Sequence, residues 1–235
     1  NVEKILEKYT VPVQASPEKN ILYLIASGDL RDSANQAGWE EQKKMEEKLI
    51  AVIESIEDSQ GRQYKVIRAH SYDPKLKHGF IKSQRMGNDV FKNIPQNAPV
   101  IVAESVWQYS HHILGALVAH KGPVLTVANW SGTWPGLVGL ANLNASLTKH
   151  ARKYSSLWSE DFSDEFFLNG LKEFLNTGEI SHDISHARPL GKIDTSNYTD
   201  AVRLGKALAD HLCYKRAIIG PLDEMCMGME NGVFG

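Results

Sequence analysis

The sequence predicts an α/β fold, a parallel sheet covered by helices on both faces. Three observations predict it. Apolar runs and helical patterns alternate strictly from residue 21 to residue 176. The apolar runs are continuous rather than alternating, as in strands buried on both faces. The intervening stretches carry apolar residues at helical spacing, with charge on the opposite side.

The elements follow in order. Val2, Ile5, Leu6 and Tyr9 are helically spaced before "PVQASPEKN" breaks the pattern. "ILYLIASG" (21–28) reads as the first strand. Residues 34–56 read as a helix with Met45, Leu49, Val52 and Ile56 on one face. A second strand is expected over 64–73, a helix over 76–93 and a third strand over 98–105. Then come a helix over 110–121, a fourth strand over 122–132 and a helix over 134–150. A fifth strand over 154–161 and a helix over 163–176 complete the unit. Five strands in this alternation fit a flavodoxin-like doubly wound sheet in three αβα layers. Right-handed crossovers limit the strand order without specifying it.

The expected organisation is a domain over 1–177, a polar linker over 178–196, and the opening of a second α/β domain over 197–235. That opening consists of a helix over 197–213, with Ala201, Leu204, Leu208 and Leu212 on one face, and a strand in "KRAIIG" (215–220). A buried-type strand with no helix to cover it is half a unit. The sequence is therefore expected to be the amino-terminal part of a longer protein, or to pack its end on another subunit.

Composition bounds the partners. The chain has 235 residues, 42% hydrophobic and 23% charged, with a formal net charge of −2. This balance gives no reason to expect nucleic acid, whose binding domains carry a basic excess. No apolar stretch approaches the length of a membrane helix. The two cysteines, Cys213 and Cys226, form no CxxC pair, and a cytoplasmic location is the expectation. The chain opens on Asn1, so a removed leader stays open.

Ligands of open α/β sheets bind beyond the carboxyl ends of the strands. Those ends here are "SGDLRDSANQ", "SYDPK", "ESVWQYSHH", "NWSGTWPG" and "SEDFSD". The third and fourth gather Trp107, Tyr109, Asn129, Trp130 and Trp134, aromatic faces beside polar groups, suited to a sugar or another polyol. The same residues also suit the cover of a sheet end or an assembly surface. Arg31 in the first loop can meet an anion or a hydroxyl-rich ligand. That loop lacks GxGxxG and the Walker pattern, and it resembles a phosphate cradle only weakly. His182 and His186 sit four apart in linker-like sequence with no third ligand nearby, and the adjacent His111 and His112 point in different directions. Cys226 among Met225, Met227 and Met229 has the softness copper prefers, but methionines packing a sheet end account for it.

Two segments together resemble a known family. "NWSGTWPGLVGLANLNASLTK" and "GPLDEMCMGMENG" look like the sugar ketol-isomerase superfamily of L-fucose isomerase and L-arabinose isomerase, and especially its fucose-isomerase-like members. The closing stretch resembles that family's "DEGCMGM" loop, with Met225 where the family has glycine. The resemblance implies aldose–ketose isomerisation through an enediol, a Mn2+-type divalent ion, a sugar substrate and a homo-oligomer. The family's metal-binding carboxylates and histidine lie later in the chain, and none maps onto a residue here. Its first domain contributes an arginine and aromatic residues to a neighbouring subunit's sugar pocket, and Arg31 and Trp107 match by position. A flavodoxin-like module that binds a sugar or flavin without chemistry, or serves assembly, is the alternative. Asp223 and Glu224 follow the expected last strand. Being adjacent in extended chain, at most one of them faces a ligand.

Overall fold

The computed structural model describes Val2, Glu18, 20–130, 132–134, 136–189, Gly191, Asp194, 196–218 and 229–232. The expected helix over 1–12, apart from Val2, lies outside the described residues, as do Asp223, Glu224 and Cys226. The described residues fall into two compact units. One runs up to Ile180 and takes in 229–232, and the other begins at Ser181.

The first unit is a five-stranded sheet built from β1 (Ile21–Ile25), β2 (Lys65–Arg68), β3 (Val100–Glu104), β4 (Val124–Asn129) and β5 (Ser155–Ser159). Every pairing is parallel and the order is β2-β1-β3-β4-β5. This is the flavodoxin-like order. The chain reverses its direction of winding between β1 and β3, which opens a crevice beyond their carboxyl ends.

Side-chain alternation along the strands feeds two cores, one on each face of the sheet. Leu22, Leu24, Ile101, Ala103, Leu125 and Val127 pack with Met45, Leu49 and Ile53 of α1 (Asp32–Glu54). Phe167, Leu171 and Phe174 of a helix over Glu165–Thr177 complete that layer. On the opposite face Val100, Val102 and Val124 pack with Val90 of α2 (Gln84–Phe91) and with Ile113 and Leu117 of α3 (His111–Ala119). Leu143 and Leu147 of α4 (Gly136–Lys149) close that side. The Glu165–Thr177 helix, α5, opens on Asp164, whose carboxylate accepts the Phe167 N–H at 2.8 Å.

Three elements differ from the sequence expectation. The helix expected over 76–93 begins only at Gln84. Asp73 Oδ1 accepts the N–H of Lys75 at 2.8 Å, and Ile81 bridges in parallel to Ser27, so 73–81 runs as a turn and an extra rung at the sheet edge. Ser83, whose side chain accepts the Met86 N–H, then starts the helix. In the second unit the helix α6 (Thr199–Lys215) runs past the expected boundary at 213. Arg216 ends it in the left-handed region at φ 50°, and of the residues expected as a strand over 215–220 neither Ala217 nor Ile218 is in one, while 219–220 lie outside the described residues. Leu204, Leu208 and Leu212 on the expected apolar face of α6 are all exposed.

Candidate functional site

A cavity of 390 Å³ opens at the carboxyl ends of β1, β3 and β4. Asp29, Arg31, Ala34 and Asn35 line it from the first loop and the start of α1. Val106 and Trp107 line it from beyond β3, Trp134 from beyond β4, and Met229 from the returning chain. A larger cavity of 480 Å³ lies among the turns at the amino ends of β4 and β5. Its Arg152 is occupied with the carbonyls of Leu117, Gly122 and Lys153, and its position is opposite to where such sheets place ligands.

The first loop is held by its own polar groups. Asn35 Oδ1 accepts the Asp29 N–H at 2.7 Å, and Asn35 Nδ2 donates to the Asp29 carbonyl at 2.9 Å. The loop can approach α1 this closely because residue 28 is glycine. A Cβ there would sit 2.3 Å from Asn35 Oδ1. Asp29 in turn receives three bonds from Arg31. The backbone N–H and Nε donate to Oδ1 at 2.8 Å each, and Nη2 donates to Oδ2 at 2.8 Å. The guanidinium holds the Asp29 carboxyl below its usual range, against the opposing effect of burial. Asp29 is 8% exposed and Arg31 65%, so the arginine shows its remaining N–H groups at the pocket mouth. Beyond it, Asp32 is tied to Lys82 at 2.7 Å and to His78 at 3.3 Å.

Behind the opposite wall the polar groups are not so matched. Glu104 ends β3 and is buried, and burial pushes its carboxyl well above the usual range despite the Gln108 amide beside it. Its Oε1 has no hydrogen-bond partner among the described residues, and neither do Ser105 Oγ, Gln108 Oε1 and Asn142 Oδ1. Gly136 and Gly139 of α4 press onto this segment. Added Cβ atoms would lie 2.6 Å from the Glu104 carbonyl and 2.7 Å from that of Val106. His112, buried against Tyr109 and His111, is pushed down to about 4 by burial, with His111 acting in the same direction.

The sequence candidates divide by this geometry. Arg31, Trp107 and Trp134 line one cavity. Tyr109 is buried behind it and acts through its backbone, donating its N–H to Gly28 at 2.9 Å and accepting the Ser27 hydroxyl at 3.1 Å. Asn129 ends β4 with a buried Oδ1 that has no partner among the described residues, and Trp130 is 61% exposed; neither is among the described residues lining the cavity. Asp29 and Asn35 enter the site without having been singled out, while Met229, expected to pack a sheet end, lines the cavity as well. The signal for the first two is the D-x-R spacing followed by an Asn in the first helical turn, the pattern of a side-chain-closed loop.

Among the described residues no three His, Cys, Asp or Glu converge on a point that would hold a metal ion. No helix among them is long and apolar enough to cross a membrane. Comparison with protein-family models, with curated proteins and with solved structures finds no match for this chain.

Proposed function

We propose that this domain binds and gates a sugar in a metal-dependent aldose–ketose isomerase-like protein. The observation that carries this reading is the 390 Å³ cavity at the sheet's switch point. Trp107 and Trp134 line it together with the hydrogen-bonded Asp29–Arg31 pair. Indole faces suit the C–H surface of a sugar ring, while the pair offers N–H donors and carboxylate lone pairs to its hydroxyls. The enediol proton transfer belongs to carboxylates elsewhere in the full-length protein. The residues here bind, orient and shelter the substrate.

The test is conversion of aldose to ketose by the full-length protein with Mn2+ across a panel of aldoses. Turnover of at least one is expected. A metal-loaded protein that converts none sinks the isomerase reading. For this chain alone, tryptophan fluorescence should respond to an aldose that the parent converts, and Trp134→Ala should abolish the response.

A non-catalytic flavin carrier is the second reading, because flavodoxin-like sheets hold their flavin between β1 and β3. The first loop weighs against it. The N–H groups of Gly28, Asp29 and Arg31, which would cradle a phosphate, are already donated to Ile81, Asn35 and Asp29. Flavin absorbance in the purified protein would restore that reading.

A further inference from the structure

The first loop has the position of a phosphate cradle but is closed on itself, and the group that closes it is a carboxylate. Asp29 takes the backbone N–H of Arg31 and the Nε–Nη2 edge of its guanidinium. A bound anion is left only the outward N–H groups of a guanidinium whose charge is already paired. Arg31 is thus a cation in formal charge but one half of a neutral pair in the pocket. The rest of the described lining, Ala34, Asn35, Val106, Trp107, Trp134 and Met229, carries no formal charge.

We propose that Asp29 sets the charge selectivity of this pocket. It cancels Arg31, so the site accepts an uncharged, hydroxyl-bearing ligand and turns away the phosphorylated form of the same ligand. This rests on the sugar-binding reading for the identity of the neutral ligand, but not for the exclusion of anions. Two features make the exclusion specific to Asp29. Its carboxylate is almost wholly buried while Arg31 is exposed, so an incoming anion meets the carboxylate's field at the arginine's inner edge. The carboxylate also accepts the Arg31 backbone N–H along with the guanidinium, so turning it away to free the guanidinium would break three bonds at once. Asp29 is in this sense a positioning residue that acts through Arg31.

The experiment compares wild type, Asp29→Asn and the double variant Asp29→Asn/Arg31→Gln. The asparagine keeps the side chain's shape and an oxygen to accept the Arg31 N–H, and removes only the charge. Binding of D-galactose, galactose 6-phosphate and inorganic phosphate is followed by calorimetry and tryptophan fluorescence at low salt, with a melting curve for each variant. Asp29→Asn is expected to bind inorganic phosphate and galactose 6-phosphate at least tenfold tighter than wild type does. The double variant should lose that gain, which separates charge from any loosening of the loop. Wild type binding phosphate as tightly as Asp29→Asn, or a gain that survives in the double variant, overturns the proposal. Failure of the sugar reading looks different: no protein responds to galactose or any other neutral sugar, while the phosphate comparison still gives its answer. If Asp29→Asn melts far below wild type, Asp29→Ser with the same Arg31→Gln partner carries the same comparison.

Discussion

The two walls of the switch-point crevice follow opposite rules for their polar groups. Along the first loop, residues 28–35, each described polar group at the pocket meets a partner: Asn35 meets the Asp29 backbone, and Asp29 meets Arg31. Along the segment at and after the end of β3, residues 104–112, one oxygen of a buried carboxyl, a hydroxyl and an amide oxygen have none among the described residues. The contrast has a physical cause. The first loop folds on short-range geometry, a carboxylate two residues before its arginine and an amide one helical turn on. The segment after β3 is placed by packing. Gly136 and Gly139 bring α4 onto its backbone, and the side chains are buried wherever that leaves them. One wall is specified by hydrogen bonds and the other by steric fit, so they should fail differently.

The largest effect is expected where steric fit is tightest. Gly87 of α2 faces the backbone carbonyl of His112, and a Cβ there would come within 2.1 Å of that oxygen. Backbone on both sides leaves no flexible side chain to move. Gly87→Ala should destabilise the domain by about 3 kcal/mol, the upper end for overpacking, as read by urea unfolding. A loss below about 1 kcal/mol would mean that the wall after β3 yields, and the contrast would collapse.

Next comes pH. Glu104 has its folded pKa raised by burial, so between the unfolded value and the folded one the native state binds the extra proton. Stability then falls with rising pH, by up to about 1.4 kcal/mol per pH unit for this one group. Glu104→Gln keeps the neutral shape. It should match wild type near pH 4 and become increasingly more stable than wild type as pH rises. His112 works from the acid side. Its folded pKa of about 4 lies below the ordinary 6.5, so stability is lost as pH falls from 6.5 toward 4. Parallel stability curves for wild type and Glu104→Gln across neutral pH would show Glu104 to be solvated rather than buried.

The same contrast explains how far each wall was legible in the sequence. The strands stand out because continuous apolar runs such as "ILYLI" and "VIVAE" have few other uses. Their order does not, since β1 pairs with both β2 and β3 across long separations that leave no local mark. Leu76, Phe80 and Ile81 mimic helical spacing, but Asp73 closes a turn at Lys75 and Ile81 joins the sheet edge. Strand-end position brought Arg31, Trp107 and Trp134 forward. Residue type could not tell the exposed Trp130 from the buried Tyr109, because burial is decided by which neighbour arrives. Asp29 and Asn35 passed unremarked because each looks ordinary alone, and only their mutual geometry gives them a role.

On the hydrogen-bonded wall, Asn35→Ala should be smaller but clear. It removes both bonds that hold Asp29, leaving a buried N–H without a partner, at a cost of about 1–3 kcal/mol. Alanine's better helix propensity returns about half a kcal/mol of that, so a net loss of about 1–2 kcal/mol is expected in thermal or urea unfolding. A null result would mean that the loop holds its shape without the clamp.

The smallest stability effect should come from the residue nearest the ligand. Arg31 is 65% exposed, and exposed ion pairs contribute little because solvent screens them and the long side chain loses freedom. Arg31→Ala should therefore shift the melting curve less than any of the changes above. The variant leaves Asp29 nearly buried with a single bond at its carboxylate, from the backbone N–H at position 31. Its carboxyl should then return upward toward its ordinary value, since the guanidinium is the largest influence holding it down. An NMR titration of Asp29 in wild type and Arg31→Ala reads this directly. Sugar binding should vanish in the variant while its melting curve barely moves. If the variant instead melts far below wild type, Arg31 is a structural strut of the first loop, and the wall specified by hydrogen bonds extends outward to the arginine itself.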